Sequence, residues 1–95
     1  MQIHERDKRQ EEIERDVHEF MAQQYLAKLG IERIGVDEQI FEQGIVDSLG
    51  MLELLTFLEG KFGVSFGPDD LTWDNVSKIR KIAAAILALQ EKTTA

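Results

Sequence analysis

Residues 44–50 read GIVDSLG and lead directly into the leucine-rich stretch MLELLTFLEGKFG at residues 51–63. The apolar residues of this stretch recur at helical spacing and Gly63 suits a helix C-terminus, so a helix is predicted to start at Asp47 or Ser48 and to end before Gly63. Either Asp47 or Ser48 can accept a hydrogen bond from a backbone N–H of the first turn. The sequence therefore predicts an exposed serine at the point where a loop meets a helix.

Helical spacing also occurs on both sides of this segment. Upstream, apolar residues and a glycine at position 30 predict a first helix over about residues 5–29. Residues 30–47 predict a long loop pinned to a core, with one short turn near residues 37–41. Downstream, Pro68 and the two aspartates after it suit the start of a short helix. A last helix is predicted over about residues 76–90, with a buried side made of Val76, Ile79, Ile82, Ala83, Ile86 and Leu87.

The predicted fold class is all-α. No stretch of useful length alternates apolar and polar residues, so no sheet is expected. The architecture is a small four-helix bundle, made of three main helices and a short third one, with the long loop between the first and second helices. We expect a single domain over residues 13–90, a charged helical extension over residues 1–12 and a short tail over residues 91–95.

Composition limits the class of protein. The chain has 95 residues and no cysteine, which predicts one small domain and excludes disulfides, cysteine-based zinc sites and a cysteine nucleophile. The N-terminus has no apolar core of a signal peptide, and no apolar run is long enough to span a membrane. We therefore expect a cytoplasmic protein.

The negative charge is concentrated around the serine. The formal net charge is −7, and residues 31–66 hold seven acids and two bases, or −5 of that total. Nucleic acids and anionic membranes are disfavoured as partners because both require a basic face. A partner protein with a basic patch is favoured by electrostatic steering.

Catalytic and metal-binding patterns are weak. A serine–histidine–acid triad would have to combine Ser48 with His4 or His18, and both histidines lie among charged residues of the first helix. Two histidines fourteen positions apart, without cysteine, match no common metal-ligand spacing. The sequence therefore predicts neither an enzyme nor a metal site.

The chain resembles the acyl carrier proteins, the phosphopantetheine-binding carriers. The resemblance rests on FEQGIVDSLG at residues 41–50, on the acid-bearing leucine helix MLELLTFLEGKFGV at residues 51–64, and on the acidic charge and the length. It covers roughly residues 13–90. Gly50 departs from fatty-acid carriers, which usually have an acid there, and DSLG is closer to peptidyl and D-alanyl carriers.

The resemblance implies that Ser48 carries a 4′-phosphopantetheine arm, which a phosphopantetheinyl transferase moves from coenzyme A. The thiol of the arm holds an acyl or aminoacyl group as a thioester, which suits a chain without cysteine. A loading ligase and downstream synthases or transferases are the implied partners, in fatty-acid or secondary-metabolite biosynthesis, and a monomer is the expected state of a soluble carrier. By the same resemblance they dock on Asp47, Leu49, Leu52, Glu53 and Thr56, whereas Leu55, Leu58 and Phe62 form core.

Other interpretations stay open at this point. The chain can be an unmodified helical module whose acidic helix docks a basic partner, with Ser48 serving only as a helix cap. A small hydrolase that uses Ser48 is a third class. Trp73 is expected to pack over the start of the last helix. The sequence does not distinguish fatty-acid, polyketide, non-ribosomal peptide and D-alanylation chemistry.

Overall fold

The computed structural model describes residues 5–93, and all regular secondary structure in that range is helical. Three consecutive segments form one continuous helical rod over residues 5–29, so the bundle has three long helices and a short one, as predicted. The first helix packs mainly against the last. The elements are α1 (Glu5–Met21), a π-helical segment (Ala22–Leu26), α2 (Ala27–Leu29), α3 (Ser48–Phe62), α4 (Trp73–Val76) and α5 (Ile79–Thr93).

The N-terminal rod confirms the first predicted helix and adds one irregularity. It ends at Gly30, whose φ of 72° is the left-handed conformation that glycine adopts without steric cost. The irregularity is the π-helical segment Ala22–Leu26, closed by a hydrogen bond from the Ala27 N–H to the Ala22 carbonyl. Helical periodicity in a sequence does not distinguish one π turn from an α turn, so this segment was not predicted.

The charged start of the rod lies along α5. The Arg6 guanidinium bonds the Glu91 carboxylate at 3.0 Å, and Arg9 donates to the Gln90 side chain at 3.1 Å. Gln10 donates to the backbone carbonyl of Arg80 at 3.0 Å. These contacts are exposed and each adds little to stability, and the buried faces of the two helices carry most of their packing.

The loop over residues 31–47 is long but attached to the bundle at several points. The Ile40 N–H donates to the Ser77 carbonyl at 3.0 Å, and the Arg80 N–H donates to the Val36 carbonyl at 2.9 Å. The Arg80 side chain also holds Asp37 through two hydrogen bonds, of 2.8 and 3.0 Å. The predicted pinned loop is therefore confirmed, and its longest turn falls at residues 40–44, slightly beyond the expected position.

One core runs through the molecule and takes a single face from each long helix. On α3, Met51, Leu54, Leu55 and Leu58 are buried, whereas Leu49 and Leu52 are 66% and 61% exposed. All six residues expected on the inner side of the last helix are buried. Buried residues elsewhere in the core are Ile13, Val17, Met21, Leu26, Ile34, Ile40, Ile45 and Val46.

The position predicted for the short helix is wrong. Residues 68–70 form a turn, because the Asp70 carboxylate accepts a hydrogen bond from the Gly67 N–H at 2.8 Å and satisfies that donor locally. The short helix is α4, which begins after Thr72. The Thr72 hydroxyl accepts from the Asn75 N–H at 3.1 Å and caps it. The last helix accordingly begins at Ile79, three residues later than predicted.

Two leucines on α3 test the burial pattern with the same chemical change. Leu54→Ala should lower the free energy of unfolding by roughly 2–5 kcal/mol, because Leu54 is fully buried and the truncation leaves a cavity. Leu52→Ala should change it by less than about 0.5 kcal/mol, because that side chain is mostly exposed. Urea unfolding followed by circular dichroism measures both. Equal effects would contradict the assigned face of α3.

Candidate functional site

Ser48 is the first residue of α3 and is exposed. The helix is capped by its neighbour: Asp47 has extended backbone dihedrals, and its carboxylate accepts a hydrogen bond from the Gly50 N–H at 2.7 Å. Within residues 5–93 the Ser48 hydroxyl makes no side-chain hydrogen bond. Of the two residues that the sequence offered as caps, Asp47 therefore does the capping, and the Ser48 hydroxyl is left to solvent.

The residues predicted to dock partners lie on one exposed face beside Ser48. Leu49, Leu52, Glu53 and Thr56 follow the spacing that brings side chains together on a helix surface, and all are exposed. The Thr56 hydroxyl donates to the Leu52 carbonyl at 2.8 Å, so its proton is already used in a hydrogen bond within the helix. The face therefore presents two large apolar side chains and the carboxylates of Asp47 and Glu53.

An apolar groove of about 200 Å³ opens beside Ser48 and shares Leu52 with the exposed face. Trp73 stands at its edge, 69% exposed, with its ring edge-on to Phe41 at 4.6 Å. The ring contact of Trp73 is with the loop, and the expected packing of Trp73 over the start of the last helix stays a prediction. Sequence periodicity gave no sign of this groove, because Phe41 and Trp73 meet only through the tertiary fold. Its walls are completed by Met51, Leu52, Leu55, Leu71 and Val76.

Tyr25 is a residue beside Ser48 that the sequence did not single out. It lies in the π-helical segment and is partly buried, and its hydroxyl donates to the Gly50 carbonyl at 3.0 Å. Burial raises the pKa of the phenol, and the nearby carboxylates of Glu53 and Asp47 raise it further. The phenol is therefore protonated, and acts as a donor, throughout the neutral range.

His18 lies apart from this site. Its Nε2 accepts a hydrogen bond from the Ile34 N–H at 3.1 Å, so that nitrogen is occupied in holding the loop. His4 lies outside the described residues. Within residues 5–93, no three histidine or acidic side chains are grouped so that they could hold a metal ion.

The surroundings of Ser48 fit a covalently attached phosphodiester. The start of a helix leaves backbone N–H groups without helical partners and carries the positive end of the helix dipole, so a negative group on residue 48 is tolerated there. The hydroxyl is exposed, and the apolar groove beside it offers room along Met51 and Leu52.

No described helix is long and apolar enough to cross a membrane.

The family model of the phosphopantetheine attachment site matches residues 22–90, and the chain belongs to this family. The D-alanyl carrier protein of Lactococcus lactis subsp. cremoris (strain MG1363) is 38% identical over 61 residues, which cover 64% of this chain and 73% of that protein. The D-alanyl carrier protein of Streptococcus pyogenes serotype M5 (strain Manfredo) is 43% identical over 49 residues, covering 46% of this chain and 60% of that protein.

This protein is therefore a carrier that bears a covalently attached 4′-phosphopantetheine arm, and it is closer to the D-alanyl type of carrier than to housekeeping fatty-acid carriers. It is a non-catalytic protein, and it works with ligases and transferases. The family match decides against the unmodified docking module and against the hydrolase. The arm supplies the thiol that the chain, without cysteine, does not have.

Because Asp47 caps α3 and Ser48 does not, the two residues should differ in their effect on the free energy of unfolding. Asp47→Ala should lower the free energy of unfolding by about 1 kcal/mol, because it removes the acceptor of the Gly50 N–H. Ser48→Ala should change it by less than about 0.5 kcal/mol, because the Ser48 side chain caps nothing. Urea titrations of both variants measure the difference, and a larger loss in Ser48→Ala would contradict the assignment of the cap.

Proposed function

We propose that Ser48 is the residue that carries the phosphopantetheine arm. The observation behind the proposal is an exposed hydroxyl at the start of α3 whose capping role is taken by Asp47. The sequence holds two further serines. Ser77 donates its hydroxyl to the Asp74 carbonyl at 3.0 Å, and Ser65 lies in the connection after α3, away from any helix start. Ser48 alone among the three combines exposure with the positive end of a long helix.

Attachment proceeds as a group transfer from coenzyme A. The Ser48 oxygen forms the new bond to phosphorus and loses its proton, while the bond to adenosine 3′,5′-bisphosphate breaks and that group leaves. Within residues 5–93 no side chain is hydrogen-bonded to the Ser48 hydroxyl, so we assign the base that takes the proton to the transferase. The chain itself contributes an accessible oxygen and a helix dipole that favours the new negative charge.

Partner enzymes are proposed to approach along the exposed face of α3. Leu49 and Leu52 offer apolar anchors, and Asp47 and Glu53 favour a basic partner by electrostatic steering. A phosphopantetheinyl transferase, a loading ligase and a downstream transferase would use this face in turn, since each must reach the arm on Ser48. The cytoplasmic location, the monomeric state and the domain limits predicted from the sequence stay predictions.

The attachment is tested by the intact mass of the protein after incubation with coenzyme A, magnesium and a broad-specificity phosphopantetheinyl transferase. The wild-type chain should gain the mass of one phosphopantetheine group, and Ser48→Ala should gain none. Ser65→Ala is the matched control, because Ser65 is exposed but lies outside a helix start, and it should be modified like the wild type. Modification of Ser48→Ala, or its loss in Ser65→Ala, would overturn the assignment.

The proposed cargo is an aminoacyl group of the D-alanyl class. The support is the name of the two relatives described above, together with Gly50 in place of the acid of fatty-acid carriers. The modified protein, ATP and a D-alanine–carrier ligase should give a hydroxylamine-sensitive gain of one alanyl mass. The unmodified protein should gain nothing. If a fatty acyl ligase loads the arm and the D-alanine ligase does not, the cargo proposal is wrong while the attachment at Ser48 stands.

A further inference from the structure

We propose that Tyr25 is a positioning residue for the modification of Ser48: its hydroxyl, held by the π-helical segment, fixes the first turn of α3 so that the Ser48 oxygen faces a docked transferase. This inference rests on the proposal that Ser48 carries the arm. Tyr25 lies on the N-terminal helical rod and is not one of the docking residues predicted on α3.

The first turn of α3 is held through both backbone groups of Gly50, its N–H and its carbonyl. The Gly50 N–H donates to the Asp47 carboxylate at 2.7 Å, and the Gly50 carbonyl accepts from the Tyr25 hydroxyl at 3.0 Å. Ser48 lies between Asp47 and Gly50 in the chain. A change in the orientation of this turn therefore has to break one of these two hydrogen bonds. The Asp47 side chain belongs to the start of α3 itself, whereas the Tyr25 side chain comes from the N-terminal rod.

The glycine is part of the same arrangement. Gly50 is buried, and a Cβ atom at this position would lie 3.2 Å from the Asp47 Oδ1 atom, 3.2 Å from the Val46 Cγ1 atom and 3.5 Å from the Tyr25 Cε1 atom. The first two distances are tighter than ordinary contacts, so a side chain would push against the cap and the loop. The distance to the Tyr25 ring is an ordinary van der Waals contact, so the strain of a side chain at this position would fall on the Asp47 cap and on Val46.

The Tyr25 ring is itself supported. Phe20 meets it edge-on at 6.3 Å, and Phe20 also stacks on Phe57 of α3 at 3.9 Å between ring centroids. The two aromatic contacts link the rod to α3 at a second point, beyond the first turn. The π-helical segment adds one residue to the turn that contains Tyr25, which alters the direction in which this side chain leaves the rod. The Tyr25 hydroxyl is therefore placed by a ring that packs against Phe20.

The consequence concerns the transfer step. A transferase that docks on Leu49 and Leu52 reaches the Ser48 oxygen at a position set by the first turn. A small misplacement of a reacting oxygen reduces the rate of a group transfer, even when binding is unchanged. Loss of the Tyr25 hydroxyl should therefore lower kcat and leave the KM for the carrier unchanged, which is the pattern of an interaction that matters only in the transition state.

The experiment is steady-state modification of unmodified carrier by a broad-specificity phosphopantetheinyl transferase, with the carrier concentration varied and coenzyme A saturating. Tyr25→Phe keeps the ring and removes the hydroxyl, and kcat should fall roughly 3- to 10-fold, the factor expected for one hydrogen bond. Gly50→Ala should lower kcat in the same way, because its Cβ presses on the cap. Ile86→Val is the matched control: it destabilises the buried core on α5 without touching the first turn of α3, and its kcat should equal that of the wild type.

Each outcome bears on the inference. Wild-type kcat in Tyr25→Phe, or an equal fall of kcat in Ile86→Val, would overturn it, because the ring or general stability would then account for the rate. A raised KM with unchanged kcat would make Tyr25 a docking contact and would also overturn it. If the wild-type chain is not modified at all, the assignment of Ser48 fails first and this inference falls with it. Modified wild type with unaltered Tyr25→Phe leaves the assignment of Ser48 standing.

Discussion

The hydrogen bond from the Gly50 N–H to the Asp47 carboxylate fixes where α3 begins, and the place of Ser48 in the first turn depends on that point. Along this helix Leu54 and Leu58 face the core, and Leu49 and Leu52 lie outside it. A start one residue later would keep these faces, because the 3.6-residue period sets them, but it would remove Ser48 from the first turn. The same bond leaves the serine hydroxyl without a structural task.

The loop before α3 sets the position of this turn, and polar contacts to α1 and α5 add to the burial of its apolar residues in holding the loop. Arg80 of α5 holds Asp37, and hydrogen bonding to this guanidinium lowers the pKa of the Asp37 carboxyl, so the pair is charged at neutral pH. Arg80 also approaches the buried Glu14 of α1 at 3.9 Å. On the other side of the loop His18 accepts from the Ile34 N–H. A long loop without regular structure thus has a defined course, because backbone and side-chain donors on it find partners.

The carrier role follows from what the chain offers and from what it lacks. It offers an exposed serine at the positive end of a helix, between an acidic face and an apolar groove. It lacks cysteine, so the reactive thiol has to arrive with the arm. A domain of this size buries a small core, and a carrier functions by presenting its arm to other proteins.

Much of this was determined by the sequence alone. Glycines at positions 30 and 63, the leucine spacing and the DSLG motif predicted three long helices, the all-α class and Ser48 as the candidate site, because these features depend on neighbours in the chain. Two local hydrogen bonds, three residues apart in the chain, decided the starts of two helices: Asp47 rather than Ser48 caps α3, and Thr72 caps α4. The tertiary structure decided the rest. It brought Trp73 onto Phe41 and set Tyr25 against Gly50. These contacts join residues up to 32 positions apart, as for Phe41 and Trp73, and local spacing carries no information about which distant side chains meet.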